Sequence, residues 1–417
     1  MPGHSFAPMR RILREARPVD PFTLRVTASG EENRRGDFIL YWMQTTRRIE
    51  QNLALEYAIA KANAANLPVV VYESLRESGY ESQPLHDRIH SFIREGAEAN
   101  AVDAERHGLR YVSFVPRTPE ETLRVVAEAA KEARLVVTDD YPTLAVRELT
   151  ERFVAGSRVA VHLVDGNGIL PMRAFAKEQY SAKFLRDRAH RLFPEYWRFT
   201  HAAQRPLVAQ LDVTGYSTNR HVVSGLSPYL HFGRIGVHEV AEHVLFSDAP
   251  QEDIDAFLEQ LIIRRELSFN FCFYNRAHTS LDCLPDWAKK TLDKHRGDRR
   301  KPSYSYEELE RGETYDHVWN LAHRQLLDSG TMHGYLRMLW GKKIIEWSDT
   351  PEEACATMIH LHDRYALDGR DPNTYAGVMW CFGKHDRPWA PERPIFGSIR
   401  WMSSAQTAKK MKLRDER

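Results

Sequence analysis

The chain has 417 residues, 42% hydrophobic and 28% charged. That balance suits a globular protein with more than one core and excludes a disordered or fibrous chain. A formal net charge of +1 excludes a surface that is basic throughout, so any grip on a polyanion must come from a local basic face.

The N-terminal stretch up to Asp20 carries charges but no apolar segment of the signal-peptide kind, and no apolar run approaches the roughly 20 residues of a membrane span. From residue 21 to 175, β-branched runs alternate with Ala/Glu/Arg-rich helical stretches. The strand-like runs are 38–42, 67–72, 109–115, 135–138 and 159–164, with helices expected over 48–66 and 119–133. This order predicts βαβ units, hence a Rossmann-like parallel α/β domain over 1–175. Thr118-Pro119-Glu120-Glu121 predicts a capping box. No G-x-G-x-x-G follows the first strand, and Gly166-Asn167-Gly168 reads as a turn, so the sheet lacks the dinucleotide fingerprint.

Residues 176–210 read as a helical connector. From 211 to 417 strand signals nearly vanish and amphipathic helices succeed one another, at 236–246, 251–273, 306–312, 315–330, 334–347 and 351–366. The fold class is therefore α/β followed by all-α. Thr350-Pro351-Glu352-Glu353 predicts a second capping box.

In the helical half, Ser227 followed by Pro228 predicts an N-cap with proline at the first helical position, and Ser224-Gly225-Leu226 upstream leaves backbone N–H groups free. Such a terminus is either a phosphate seat or simply a well-capped helix. On the helix around Gln260, Arg264 and Arg265 lie about one turn on and read as a solvated ion-pair face. Trp319, Trp340 and Trp347 fall on neighbouring helices, and Arg337 beside them needs a carboxylate partner, for which Asp368 and Asp371 are the candidates. His238 to His243 lacks the spacing of a zinc protease motif. The four cysteines, Cys272, Cys283, Cys355 and Cys381, contain no C-x-x-C pair and read as buried thiols of a cytoplasmic protein, so no metal site is expected. From Lys384 onward nine Lys/Arg face four Asp/Glu, 9 − 4 = +5, with Trp389 and Trp401 interleaved. That pattern suits phosphate contact plus base stacking.

Taken in order, Tyr41 to Gln44, Ser227 to Gly233, Arg264 to Leu267 with Asn270-Phe271, Met332 to Gly334, Asp368 to Asn373 and Glu392 to Gly397 resemble the class II cyclobutane pyrimidine dimer DNA photolyases of the photolyase/cryptochrome family. The resemblance covers nearly the whole chain. It implies FAD in the helical half, held by Ser224, Gly225, Leu226, Ser227, Arg337, Met338, Asp368 and Asp386. It implies that Trp319 and Trp340 pass electrons to the flavin. It also implies that Gln260, Trp380, Arg387, Trp389 and Arg393 meet a dimer flipped out of double-stranded DNA. The activity implied is light-driven dimer repair by a monomer, or photoreception by a cryptochrome on the same scaffold. An antenna chromophore, such as an 8-hydroxy-5-deazaflavin, is known in the N-terminal domain of this family. Three departures stand out: Gln260 where the family has Glu, His362 where it has Asn near the flavin, and a Cys381–Lys384 segment one residue short.

Overall fold

A computed structural model of the chain describes residues 5–75, 83–198 and 223–413. The expected connector lies outside the described residues from 199 on, as do Arg414 and Arg417 of the basic tail.

The first half is a six-stranded sheet. Its strands are β1 (Val26–Ser29), β2 (Phe38–Met43), β3 (Val69–Ser74), β4 (Arg110–Phe114), β5 (Ala133–Asp139) and β6 (Val161–Val164), in the order β1-β6-β5-β2-β3-β4. All neighbours are parallel except β1 and β6. The sequence predicts the five parallel strands but not the antiparallel β1, which is short and mostly exposed, so its hydrophobic pattern is weak. Alternate side chains serve opposite layers. Ile39, Tyr41, Leu135 and Val137 pack under α2 (Leu53–Ala65). Leu40, Trp42 and Val136 pack against α4 (Pro119–Ala130) and α5 (Leu144–Gly156). The remaining cover is α3 (Asp87–Arg106), a helix with no counterpart among the expected ones.

Thr118 Oγ1 accepts from Glu121 N, but the Glu121 carboxylate reaches back to Arg117 N, one residue beyond the expected box. Thr350 Oγ1 accepts from Glu353 N. A complete box instead forms at Ser305 and Glu308.

The order of the parallel strands creates a switch point between β2 and β5, where open α/β sheets usually receive a ligand. Here the Asp139 carboxylate fills it, accepting from the backbone N–H groups of Gln44, Thr45 and Thr46 at 2.8–3.0 Å and from Tyr41 OH at 3.0 Å. Gly233 (φ +64°) closes over it, and a Cβ there would lie 2.1 Å from Thr45 O. The missing glycine fingerprint thus has a structural counterpart: the crevice holds the protein's own carboxylate.

The second half is helical: α6 (Ala182–Tyr196), α7 (Ser227–His231), α8 (Val237–Leu245), α9 (Gln251–Leu258), α10 (Arg265–Tyr274), α11 (Asp286–Lys294), α12 (Tyr306–Arg311), α13 (His317–Ser329), α14 (Gly334–Trp347), α15 (Pro351–Tyr365), α16 (Pro372–Cys381) and α17 (Ser404–Met411). The helix expected over 251–273 is interrupted by a π-helical turn, Glu259–Arg264. One core joins α10 to α17. Another joins α6, α8 and α9 with Phe6 and with Met9 and Leu13 of the N-terminal helix α1 (Met9–Glu15).

Candidate functional site

A cavity of about 900 Å³ opens between α7, the π turn, α13, α14, α15 and α16, and a pocket of about 200 Å³ adjoins it at His231 and Arg265. Its walls follow from helix sequence. Gly334 and Gly377 carry no side chain, and a Cβ at either would meet nothing within 4 Å. Gly341 lets α14 lie against α16, because a Cβ there would sit 2.7 Å from Cys381 Sγ.

Ser224 to Ser227 form one rim of this cavity. Gly225 is left-handed (φ +69°), a conformation that costs glycine little. The N-cap of α7 is Leu226 in helical geometry, not Ser227, and no side chain caps the helix. This corrects the expected Ser227 cap. Ser227 instead lies close enough to Asp368 to help lower its pKa.

Arg337 meets Asp368 at 3.2 Å, with side chains 22% and 12% exposed. Burial alone would raise the Asp368 pKa; the Arg337 charge, with a smaller effect from Ser227, holds it below the usual carboxylate range. The second candidate partner, Asp371, serves elsewhere: it lies 3.5 Å from His231 and 3.7 Å from Arg265, and accepts from Tyr141 OH of the sheet half at 3.1 Å. Arg265 is therefore buried, stacked 4.3 Å over Phe269, which corrects its expected place on a solvated face. Arg264 is the half-exposed one and pairs with Glu259.

Met338, His362 and Gln260 also line the cavity. Gln260 projects from the π turn, a widened helical geometry frequent at functional sites. His362 is 2% exposed, and neither ring nitrogen has a hydrogen-bond partner. Burial and the nearby Arg337 push its pKa down to about 3, so the ring is neutral.

Trp340 lines the cavity and Trp319 lies behind it. Their rings are parallel within 4°, with centroids 6.4 Å apart, and Trp319 Nε1 donates to Trp340 O at 3.0 Å. The sequence spacing shows both tryptophans but not His323, whose ring stacks on the same pair.

The remaining expected residues, Asp386 of the expected flavin set among them, stand outside the cavity wall, in two aromatic and basic groups. Arg387 and Arg400 lie 4.4 and 4.2 Å over Trp389, and Arg400 reaches Trp380 at 5.8 Å. Asp386 accepts from Trp389 Nε1 and from the Arg387 backbone, so it orients this cluster. Arg393 sits 4.5 Å over Trp401. Lys342, buried under Trp380, donates to Cys381 O, and burial lowers its pKa to about 8.

All four cysteines are free and buried, and burial raises each thiol pKa. Among the described residues no group of three or more His, Cys, Asp and Glu has metal-binding geometry, and no helix is long and apolar enough to cross a membrane.

No protein-family model matches the chain. It is similar to the deoxyribodipyrimidine photo-lyase of Methanothermobacter thermautotrophicus, 34% identical over 92% of this chain and 95% of that protein. The enzyme of the same name from Oryza sativa is 34% identical over 90% of this chain and 86% of its own length. Its fold matches a cryptochrome from Synechocystis (TM-score 0.68, 11% identity, 90% of this chain and 86% of the other). An archaeal photolyase from Sulfolobus tokodaii, whose structure holds two FAD molecules, matches similarly (TM-score 0.64, 14% identity, 90% and 87%).

Proposed function

Because the chain belongs to the deoxyribodipyrimidine photo-lyase family, we propose that it is a class II enzyme that uses light and FAD to split cyclobutane pyrimidine dimers in double-stranded DNA. The observation that carries this reading is one cavity wall in which the Arg337–Asp368 pair, neutral His362 and the Trp340–Trp319 stack meet. The cavity suits a dinucleotide flavin: about 900 Å³ is at the large end of ligand sites, Gly225, Gly334 and Gly377 leave it open, and His362 offers two unpartnered ring nitrogens.

FAD when bound supplies the light-driven electron for ring opening. Ser224, Gly225, Leu226 and Ser227 would hold its phosphates through backbone N–H groups, and Arg337, Met338 and His362 would surround its ring system. Asp368 keeps Arg337 oriented and its charge compensated. Trp319 and Trp340 would feed electrons inward. Gln260 at the cavity mouth would hydrogen-bond a flipped dimer, as donor and acceptor but without charge. Trp389, stiffened between Arg387 and Arg400, would stack in the gap the dimer leaves, with Trp380, Arg393 and Asp386 supporting it.

The test is light-dependent loss of thymine dimers from a defined oligonucleotide, with flavin content read from the absorbance of the same sample. Repair in light and none in darkness is the expected result. Bound flavin without repair would overturn it in favour of photoreception, the reading kept alive by Gln260 and His362.

A further inference from the structure

His323 is the third ring of the tryptophan stack. It sits one turn beyond Trp319 on α13 and is 0% exposed. Its ring lies 4.9 Å from Trp319 at 13° and 6.3 Å from Trp340 at 8°. Two hydrogen bonds define its tautomer. Nε2 is 2.8 Å from the Glu310 backbone oxygen, which can only accept, so Nε2 carries the proton. Nδ1 therefore offers a lone pair, and Trp340 Nε1–H donates to it at 3.2 Å.

The two indoles differ in this respect. Trp319 Nε1–H donates to a backbone carbonyl, which takes up no proton at ordinary pH. Trp340 Nε1–H donates to a base. Burial lowers the His323 pKa, against smaller opposing effects from Glu310, so the ring is neutral and ready to accept.

We propose that His323 is the proton acceptor of Trp340: when Trp340 loses an electron, its Nε1 proton passes to His323 Nδ1, leaving a neutral indolyl radical beside an imidazolium. This rests on the reading above, in which Trp340 feeds an electron inward to the flavin; the oxidant would be that flavin in its oxidised form, excited by light. The electron leaves the Trp340 π system for that oxidant, and the proton stays within the hydrogen bond. The positive charge moves from one buried ring to its neighbour, so burial opposes neither side. The imidazolium keeps its Nε2–H on Glu310 O and donates Nδ1–H back to the indole nitrogen.

One consequence follows for the pair. Return of the electron then requires return of the proton, which slows recombination and favours net photoreduction.

The experiment is flash photolysis of the flavin-loaded protein in H₂O and D₂O, following indole radical bands, for the parent, His323→Gln and His323→Phe. Gln keeps an acceptor for the indole N–H but is not a base, and Phe keeps a stacked ring without an acceptor. Flavin content and thermal midpoint establish that each variant is folded. In the parent, the cation-radical band is expected to decay into the neutral-radical band, more slowly in D₂O. In both variants the cation band persists, recombination is faster and the photoreduction yield falls. A neutral radical that forms at the parent rate in either variant overturns the proposal, as does a parent radical that stays cationic; both leave the tryptophan pair in place. A parent flash with no indole radical overturns the role of the pair and that of His323 with it.

Discussion

Replacing Arg337 by Met separates the electrostatic part of the cavity wall from its shape. The variant leaves the Asp368 carboxylate buried without its charged partner. Losing one partner of a fully buried pair costs about 3–5 kcal/mol. Arg337 is 22% exposed, so water compensates part of the loss, and about 2 kcal/mol is expected. The pH dependence is the sharper readout. In the parent, the Asp368 pKa is held below the usual carboxylate range, so its stabilisation is present above about pH 4 and is lost as pH falls through the folded value. In Arg337→Met burial acts without the opposing charge, and the folded pKa rises above the unfolded one. The contribution is then present at low pH and lost as pH rises through the raised value, so the slope changes sign. Thermal midpoints of parent and variant between about pH 4 and 7 measure this, the difference widening toward neutral pH. In a double-mutant cycle with Asp368→Leu, about 1–3 kcal/mol of coupling should appear. Additive losses with parallel pH profiles would refute the assignment of this pair as the support of the wall.

Gly341→Ala should destabilise by about 1–3 kcal/mol, because its Cβ would lie 2.7 Å from Cys381 Sγ; Cys381→Ala in the same chain should recover much of the thermal midpoint. Arg387→Ala and Arg400→Ala should each weaken binding to dimer-free DNA and lower the salt slope by about one, read by fluorescence anisotropy over a salt series. Gln260→Glu should raise the repair yield per photon, and an unchanged yield removes Gln260 as its determinant. His362, pushed down to about 3, should give the flavin potential no titration step near neutral pH, whereas His362→Asn should shift the potential itself; a step near the ordinary histidine value would contradict the buried neutral ring.

The sheet was legible where its pattern is strong. The runs at 38–42 and 135–138 are buried on both faces and read as apolar segments, and each strand sits within a residue or two of them. β1 gave no comparable signal because three of its four residues are exposed. α16 was missed for the opposite reason. Pro372–Cys381 is buried almost all round, so no polar face marks a helical period, and Gly377 lowers its helix propensity. The break at Glu259–Arg264 leaves the apolar face of Phe257, Leu258, Leu261 and Ile262 buried, so periodicity passes over a π turn without a trace.

The site divides along another line. Residues within one loop or helix face could be paired from spacing and charge: Arg337 required a carboxylate, and of the two offered Asp368 meets it while Asp371 binds His231 and Arg265. Spacing and charge left the choice open, which the family resemblance made for Asp368, because both aspartates lie in the same short loop and only the fold decides which faces α14 and which faces α10. The same holds for Trp340 and His323, 17 residues apart on helices whose crossing brings an indole N–H to an imidazole lone pair. Spacing reports neighbours along a helix, whereas a hydrogen bond between helices depends on axial shift and rotation that no periodicity encodes. The parts of this site that hold a ring, a charge or a proton in register are therefore those that sequence pattern alone leaves blank, and they lie where α13, α14 and α15 converge.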